Sequence, residues 1–272
     1  MSLKQPGDGT ANRSPKQSLF SLEGEVVVVT GGAGLYGLPI SQALAEAGAT
    51  VIIASRDLER NERVASELRA CGLRVYAQAL DMSDATQIER FLNEAIEREG
   101  KIDVLINNAV SRPVRDFWTS TEEQWRDSLQ TNIIGIHLCC QMFGRHMTAR
   151  RKGNIINISS IYGMVGPTFP IYEGTSVTCP PDYAFHKGGL INYTRYLATL
   201  LALSVRVNCL SLGGLQTEDE DPKFVSQYSR HCPMGRKATA ADVKGPIVFL
   251  ASAASQYMTG HNLVVDGGWT AW

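Results

Sequence analysis

The chain has 272 residues, and its 26 Lys and Arg nearly cancel its 27 Asp and Glu, for a net charge of −1 with no basic block. That balance argues against nucleic acid or a membrane surface as partner and for a small-molecule substrate. The length suits one large α/β domain, no apolar run approaches the roughly 18 residues of a membrane span, and the N-terminus lacks a signal peptide's apolar core, so a cytoplasmic protein is expected.

Residues 1–18 are rich in Pro, Gly, Ser, Asn, Lys and Gln and have little to bury, so they read as a disordered tail before a domain spanning 19–272. Val26 to Val29 is a run of β-branched residues that reads as a buried strand. Thr30-Gly31-Gly32-Ala33-Gly34-Leu35-Tyr36-Gly37 follows as a glycine turn, and Leu38 to Gly48 has helical periodicity with Pro39 tolerated in its first turn. Strand, glycine turn and helix in that order place free N–H groups where a pyrophosphate can sit.

Thr50 to Ala54 reads as a second strand, stopping at Ser55-Arg56-Asp57 before a helix over Leu58 to Ala70 that Cys71-Gly72 ends. Leu73 to Leu80 alternates as a third strand, Asp81-Met82-Ser83-Asp84 supplies a turn and N-cap, and Ala85 to Arg98 is amphipathic. Ile102 to Ile106 is the fourth strand. Beyond Asn107-Asn108-Ala109-Val110, a capping-box pattern at Ser120-Thr121-Glu122-Glu123 starts a long helix to about Arg150 that contains Asn132. Gly153 to Ser159 is strand five, Tyr183 to about Ala202 a helix, and Ser204 to Leu210 strand six. Thr239-Ala240-Ala241-Asp242 caps a last helix through Ala251, and Asn262 to Val265 is a seventh strand. This alternation implies parallel strands with helices on both faces, a doubly wound sheet whose ligand belongs at the strand C-terminal ends.

The residues able to carry chemistry fall at those ends. Tyr183 and Lys187 are four apart on one helix and share a face. A free tyrosine phenol, with a pKa of about 10, is a poor base at neutral pH, but a nearby ammonium favours the phenolate. Such a phenol can give or take the proton that accompanies redox chemistry at a carbonyl. The five histidines are scattered, so no metal is expected. The six cysteines (Cys71, Cys139, Cys140, Cys179, Cys209, Cys232) show no C-x-x-C spacing and read as free thiols.

The glycine turn, Asp81, Asn107-Asn108-Ala109, Asn132, Ser160, Tyr183-x-x-x-Lys187 and Leu212-Gly213 with Thr217 occur in the order seen in the short-chain dehydrogenase/reductase family, which the chain resembles over residues 20–272. The resemblance implies a single Rossmann domain with seven parallel strands in the order 3-2-1-4-5-6-7, a nicotinamide cofactor and a homotetramer or homodimer. It implies that Tyr183 is the general acid/base, Ser160 the partner of the substrate oxygen, Lys187 the holder of the nicotinamide ribose and Asn132 the anchor of a proton-relay water. It places the cofactor against Gly31, Gly34, Leu35, Tyr36, Gly37, Ser55, Arg56, Asp81, Met82, Asn108, Ala109, Val110, Tyr183, Lys187, Gly213, Leu215 and Thr217. A hydroxyl and a guanidinium at Ser55-Arg56, in place of the acidic side chain of NAD-specific members, favour NADP(H) over NAD(H).

Four departures qualify the resemblance. Leu35 stands where the family usually has glycine, a spacing shared with nucleotide-sugar epimerases and dehydratases. Val110 replaces a glycine and Leu212 a proline. Ser160 and Tyr183 are 23 positions apart, a longer separation than usual, and the added residues lie in Gly166 to Asp182. Substrate loops are expected over 161–182 and 212–238. The aromatic and hydroxyl residues of the first suit a sugar-like or polyol substrate. The insertion and the Gly-Gly-Trp-Thr-Ala-Trp terminus resemble oxidoreductases of sialic-acid-like sugar biosynthesis, with gluconate 5-dehydrogenase-like members next. An alcohol/carbonyl oxidoreductase is the expectation, with an epimerase/dehydratase or a non-catalytic dinucleotide sensor as alternatives.

Overall fold

The computed structural model describes residues 18–272. Of the tail expected over 1–18, all but Ser18 lies outside them. The chain alternates β1 (Val26–Thr30), α1 (Gly37–Glu46), β2 (Thr50–Ser55), α2 (Leu58–Ala70), β3 (Val75–Ala79), α3 (Ala85–Glu99), β4 (Val104–Asn107), α4 (Glu122–Leu129), α5 (Ile136–Ala149), β5 (Gly153–Ser160), α6 (Pro181–Leu200), β6 (Val205–Leu212), α7 (Pro222–His231), α8 (Ala240–Ala251) and β7 (Asn262–Val265). The strands form one parallel sheet in the order 3-2-1-4-5-6-7, as expected.

A strand of consecutive valines has no polar face, so both faces of the sheet must be covered. Val27 and Val29 pack with Ile53, Ile106 and Ile156 against α1, α2 and α8. Val26 and Val28 pack with Ile52, Leu105 and Ile155 against α3, α5 and α6. At the N-terminal edge of the sheet Asp103 is 2 % exposed, accepts from the Val26 amide at 3.0 Å and pairs with Lys101 at 2.8 Å and Arg150 at 3.0 Å. Its burial works to raise the carboxyl pKa, but Lys101, the Val26 amide, Arg150 and Lys152 outweigh that and hold it below the usual range.

Three expectations are corrected. The long helix from Ser120 is interrupted: α4 and α5 are joined by a π-helical turn over Gln130–Gly135. There the backbone sits against the segment before α3, and a Cβ on Gly135 would lie 2.3 Å from the Met82 carbonyl oxygen. The capping box is Thr121 with Gln124, because the Ser120 hydroxyl is taken by the Phe117 carbonyl and the Trp125 indole N–H. Helix α7 lies within the segment expected to be a substrate loop, capped by Asp221 with Pro222 in its first turn and burying Phe224 and Tyr228.

Helix α7 and the inserted loop form a small cap of their own. Ile161, Ile171, Phe224, Tyr228, Cys232 and Trp269 make a third apolar cluster, with Tyr172 stacked on Phe224 at 5.4 Å and Trp269 stacked on Tyr228 at 4.3 Å. Trp269 therefore packs within its own chain, while Trp272 is 82 % exposed.

Candidate active site

The site begins where β1 meets the glycine turn. The Thr30 hydroxyl donates to the Ile106 carbonyl at 3.3 Å and accepts from the amides of Asn108 and Ala109 at 3.0 Å each. The Asn108 side chain returns two bonds of 3.0 Å to the carbonyls of Thr30 and Gly31, so the ends of β1 and β4 are locked together. Gly31 has φ +63°, and a Cβ there would stand 3.0 Å from the Ala109 Cα; at Gly37 a Cβ would lie 1.9 Å from the Gly31 carbonyl oxygen. Leu35 is 50 % exposed, so its side chain leaves the turn undisturbed. The Tyr36 hydroxyl donates to the Gly213 carbonyl, tying the turn to the end of β6. Burial drives the Tyr36 phenol well above its ordinary pKa, with Tyr183 and Tyr228 adding to the rise.

Three cavities run along the C-terminal edge of the sheet and share walls. The first is lined by Ser55, Arg56, Asp81 and Met82 with Gly31, Ala109 and Val110. The second shares Gly31, Ala109 and Val110 and adds Gly34, Leu35, Tyr36, Asn108, Tyr183, Lys187 and Gly213. The third shares Leu35, Tyr36, Tyr183 and Gly213 and adds Ser160, Leu215 and the cap residues. Of the residues expected at the cofactor, Gly37 acts from inside the turn, and Thr217 is exposed and lines none of the three. An elongated dinucleotide fits this run: the glycines let the backbone come close at its middle and a helix N-terminus faces it.

Helix α6 starts with Pro181 in its first turn, which puts Tyr183 near its N-terminus and Lys187 one turn further along. The Lys187 ammonium donates to the Ile158 carbonyl at 2.7 Å and stands 5.6 Å from the centre of the Tyr183 ring. Lys187 is 3 % exposed, and burial lowers its pKa to about 8, against an opposing effect of Cys209 and with a smaller lowering by Arg112. Ser160, at the end of β5, accepts from the Tyr162 amide at 3.2 Å, which leaves its own hydroxyl proton to donate. The neighbouring Ser159 instead donates to the Lys187 carbonyl at 2.9 Å and so satisfies backbone. Tyr162 and Tyr172 bond to each other through their hydroxyls at 2.6 Å.

Asn132 lies in the π-helical turn and its side chain is fully engaged. Its Oδ1 accepts from the Ser111 amide at 2.8 Å, and its Nδ2 donates to the Ser111 carbonyl at 2.8 Å and the Ser128 hydroxyl at 3.0 Å. The amide thus clamps the segment after β4 onto α4. That segment carries Arg112, which sequence reasoning missed. Its guanidinium lies 5.0 Å from the centre of the Tyr183 ring and borders both the second and third cavities. Glu220 and Lys237 were missed as well, and both line the third cavity. An arginine just past a strand end in a doubly wound sheet was a readable signal; a Glu and a Lys 17 positions apart in a loop region were not. No group of three or more His, Cys, Asp or Glu side chains is placed to hold a metal among the described residues, nor is any helix there long and apolar enough to cross a membrane.

Residues 36–270 match the family profile described as enoyl-(acyl carrier protein) reductase. The chain belongs to the short-chain dehydrogenase/reductase family. This dehydrogenase/reductase is 33% identical over 255 residues to the 3-oxoacyl-[acyl-carrier-protein] reductase FabG of Chlamydia pneumoniae, covering 92% of this chain and 99% of that one. It is 35% identical over 268 residues to an NADP-dependent mannitol dehydrogenase of Hypocrea jecorina, covering 96% and 97%. A solved gluconate 5-dehydrogenase from Burkholderia cenocepacia, in complex with NADP and tartrate, superposes with a TM-score of 0.82 at 30% identity over 93% of this chain and 98% of that one. As a member of this family the chain is an oxidoreductase that interconverts an alcohol and a carbonyl by hydride transfer.

Proposed function

We propose that the substrate is a polyhydroxylated, sugar-like small molecule, that the cofactor is NADP(H), and that Tyr183, Lys187 and Ser160 handle the proton. The observation that carries the reading is the convergence of Tyr183, Ser160 and a cap of tyrosines and polar groups on one cavity, continuous with the run that begins at Ser55 and Arg56. The relatives named for mannitol and gluconate support it.

A nicotinamide dinucleotide, when bound, supplies or takes the hydride. The chain's own residues do the rest. Tyr183 donates a proton to the substrate oxygen on reduction and takes it on oxidation. Ser160 donates to that oxygen, and its hydroxyl can follow it through either charge state. Lys187, fixed by Ile158, places a cation beside the phenol, and it would hold the nicotinamide ribose. Asn132 contributes by position: with its side chain spent on Ser111 and Ser128, the anchoring of a relay water falls to the main chain of its turn. A Tyr183→Phe variant is expected to lose about 10²–10⁴-fold in turnover while still quenching its fluorescence with the cofactor; undiminished turnover refutes the assignment.

NADP(H) rests on Arg56, which is exposed at the first cavity. Its neighbour Asp57 is turned to the helix start, where its carboxylate accepts from the Arg60 amide at 2.9 Å, so it does not supply the acidic side chain that would repel a 2′-phosphate. Arg56→Ala is expected to raise the KM for NADP(H) about tenfold more than that for NAD(H); equal changes remove the preference. A second reading, a nucleotide-sugar epimerase, is suggested by the Gly31, Gly34 and Gly37 spacing. Net release of reduced cofactor separates the two readings, and cofactor binding without turnover on any alcohol favours a sensor. A cytoplasmic homotetramer or homodimer completes the proposal, supported by Phe185, Tyr196 and Leu200, which stand exposed on α6.

A further inference from the structure

The third cavity holds a charged pair that the proton chemistry does not use. Lys237 is 2 % exposed; its ammonium contacts Glu220 and lies 4.7 Å from the Phe224 ring centre and 5.4 Å from that of Tyr228. Glu220 sends one oxygen to Lys237, while its second, Oε2, is buried without a hydrogen-bond partner. The two segments that carry the pair are closed by a bridge between Leu215 and Ala238. A Cβ on Gly214 would come within 3.0 Å of the Lys237 Cε, so the backbone there leaves room for the lysine. A cap held together only by packing gains nothing from a desolvated ion pair, which is costly unless its remaining lone pairs and protons are satisfied. Against it stand Phe224 and Tyr228, an apolar environment in which an orphaned acceptor is most expensive.

We propose that Glu220 and Lys237 form a hydroxyl-reading subsite, in which Glu220 Oε2 accepts from a substrate hydroxyl away from the reacting carbon and the Lys237 ammonium donates to that hydroxyl's or its neighbour's oxygen. This rests on the polyol reading above and deepens it: the pair selects a vicinal diol over a hydrocarbon chain. A hydroxyl is donor and acceptor at once and matches both members of the pair. An alkyl group in the same place leaves the carboxylate oxygen buried and unpaired, and sites of this kind reject the group that cannot bond by factors on the order of 10²-fold or more.

The test compares the parent chain with Glu220→Leu/Lys237→Met, which removes both charges together, and with the near-isosteric Glu220→Gln. Turnover is followed with NADP⁺ on D-mannitol, galactitol and D-gluconate against cyclohexanol, and thermal shifts are measured on the NADP⁺-bound proteins with the same polyols. The double variant is expected to lose about 10²-fold in the ratio of polyol to cyclohexanol kcat/KM, through KM, and to lose the polyol thermal shift; Glu220→Gln is expected to lose about tenfold. If the parent is selective and stabilised by polyols and the variants keep both properties, the subsite is overturned and the polyol reading stands. If the parent turns over cyclohexanol but neither turns over nor is stabilised by any polyol, the substrate reading falls and the subsite with it. If the parent turns over none of the four compounds, the thermal shift decides alone: a shift lost in the variants supports the subsite, and a shift kept or absent throughout overturns it.

Discussion

His186 shows how one side chain behind the Tyr183 phenol ties the candidate site to stability. It is 2 % exposed, its ring meets that of Tyr183 edge-on at 5.4 Å, and burial, with Lys187 next, lowers its pKa from 6.5 to about 3. In the folded chain the imidazole stays neutral through mild acid, whereas in the unfolded chain it takes a proton as pH falls through 6.5. The unfolded state therefore binds more protons between those values, and stability is lost as the solution is acidified. By pH 5 the loss from this group is about 2 kcal/mol. His186→Phe is expected to abolish that part of the acid sensitivity, which urea melts at pH 7 and pH 5 would measure; an unchanged difference between the two would show that the ring is not held neutral. Lys187 is the opposite member of this environment, a cation kept beside the phenol although burial brings its pKa down to about 8.

At the scale of elements, the glycine turn and α7 make different demands on sequence. Gly37 is dictated by contact, because a methyl group there would lie 1.9 Å from the Gly31 carbonyl oxygen, whereas Leu35 points to solvent and the cavities. Gly37→Ala is expected to cost about 1–3 kcal/mol and to weaken cofactor binding by opening the turn. Leu35→Gly, which restores the residue more usual in the family, is expected to cost less than about 1 kcal/mol. Thermal melts with and without cofactor distinguish the two; equal losses would mean that the turn is not closed by that contact. Helix α7 is short and buries only Phe224 and Tyr228, yet with Ile171 and Trp269 it gives the long insertion a core of its own. The cap is thus a packed unit as well as a lining.

For the molecule as a whole, the sheet separates its two ends. The cavities lined by the candidate site residues lie at the C-terminal edge, while the N-terminal edge carries Asp103 with Lys101, Arg150 and Lys152 around it. Asp103 joins β1 to the segment before β4, and Arg150 at the end of α5 to both. Removing its carboxylate leaves the Val26 amide unpaired and takes the ion-pair partner from Lys101 and Arg150, while Lys152 keeps Glu25 at 2.8 Å. Asp103→Ala is expected to lose about 1–3 kcal/mol, chiefly from the unpaired Val26 amide, with kcat/KM at neutral pH within about twofold, since the site lies at the other end of the strands. A denaturant melt and a rate assay on one preparation check both halves, and a rate loss matching the stability loss would show that the two ends are coupled.

The amino-acid order alone determined the architecture, because its signals are local. Valines in succession have to be covered on both faces, a capped amphipathic run has to lie on a sheet, and alternating the two leaves a parallel sheet with its ligand at one edge. Tyr183 and Lys187 were legible for the same reason, four residues apart on one helix, and Ser160 at a strand end. What only the tertiary structure decided depends on contacts between distant segments. The π-helical turn at Asn132 exists where Gly135 meets Met82, and helical periodicity does not register one extra residue in a turn. Arg112 reaches Tyr183 because Asn132 holds Ser111. Helix α7 is the exception: its Asp-Pro start and its strongly amphipathic pattern, with Phe224 and Tyr228 four apart, were legible, and only its packing on the inserted loop was not. Glu220 and Lys237 become a pair through a bridge and an aromatic floor, and neither feature is written in the spacing of the two residues along the chain.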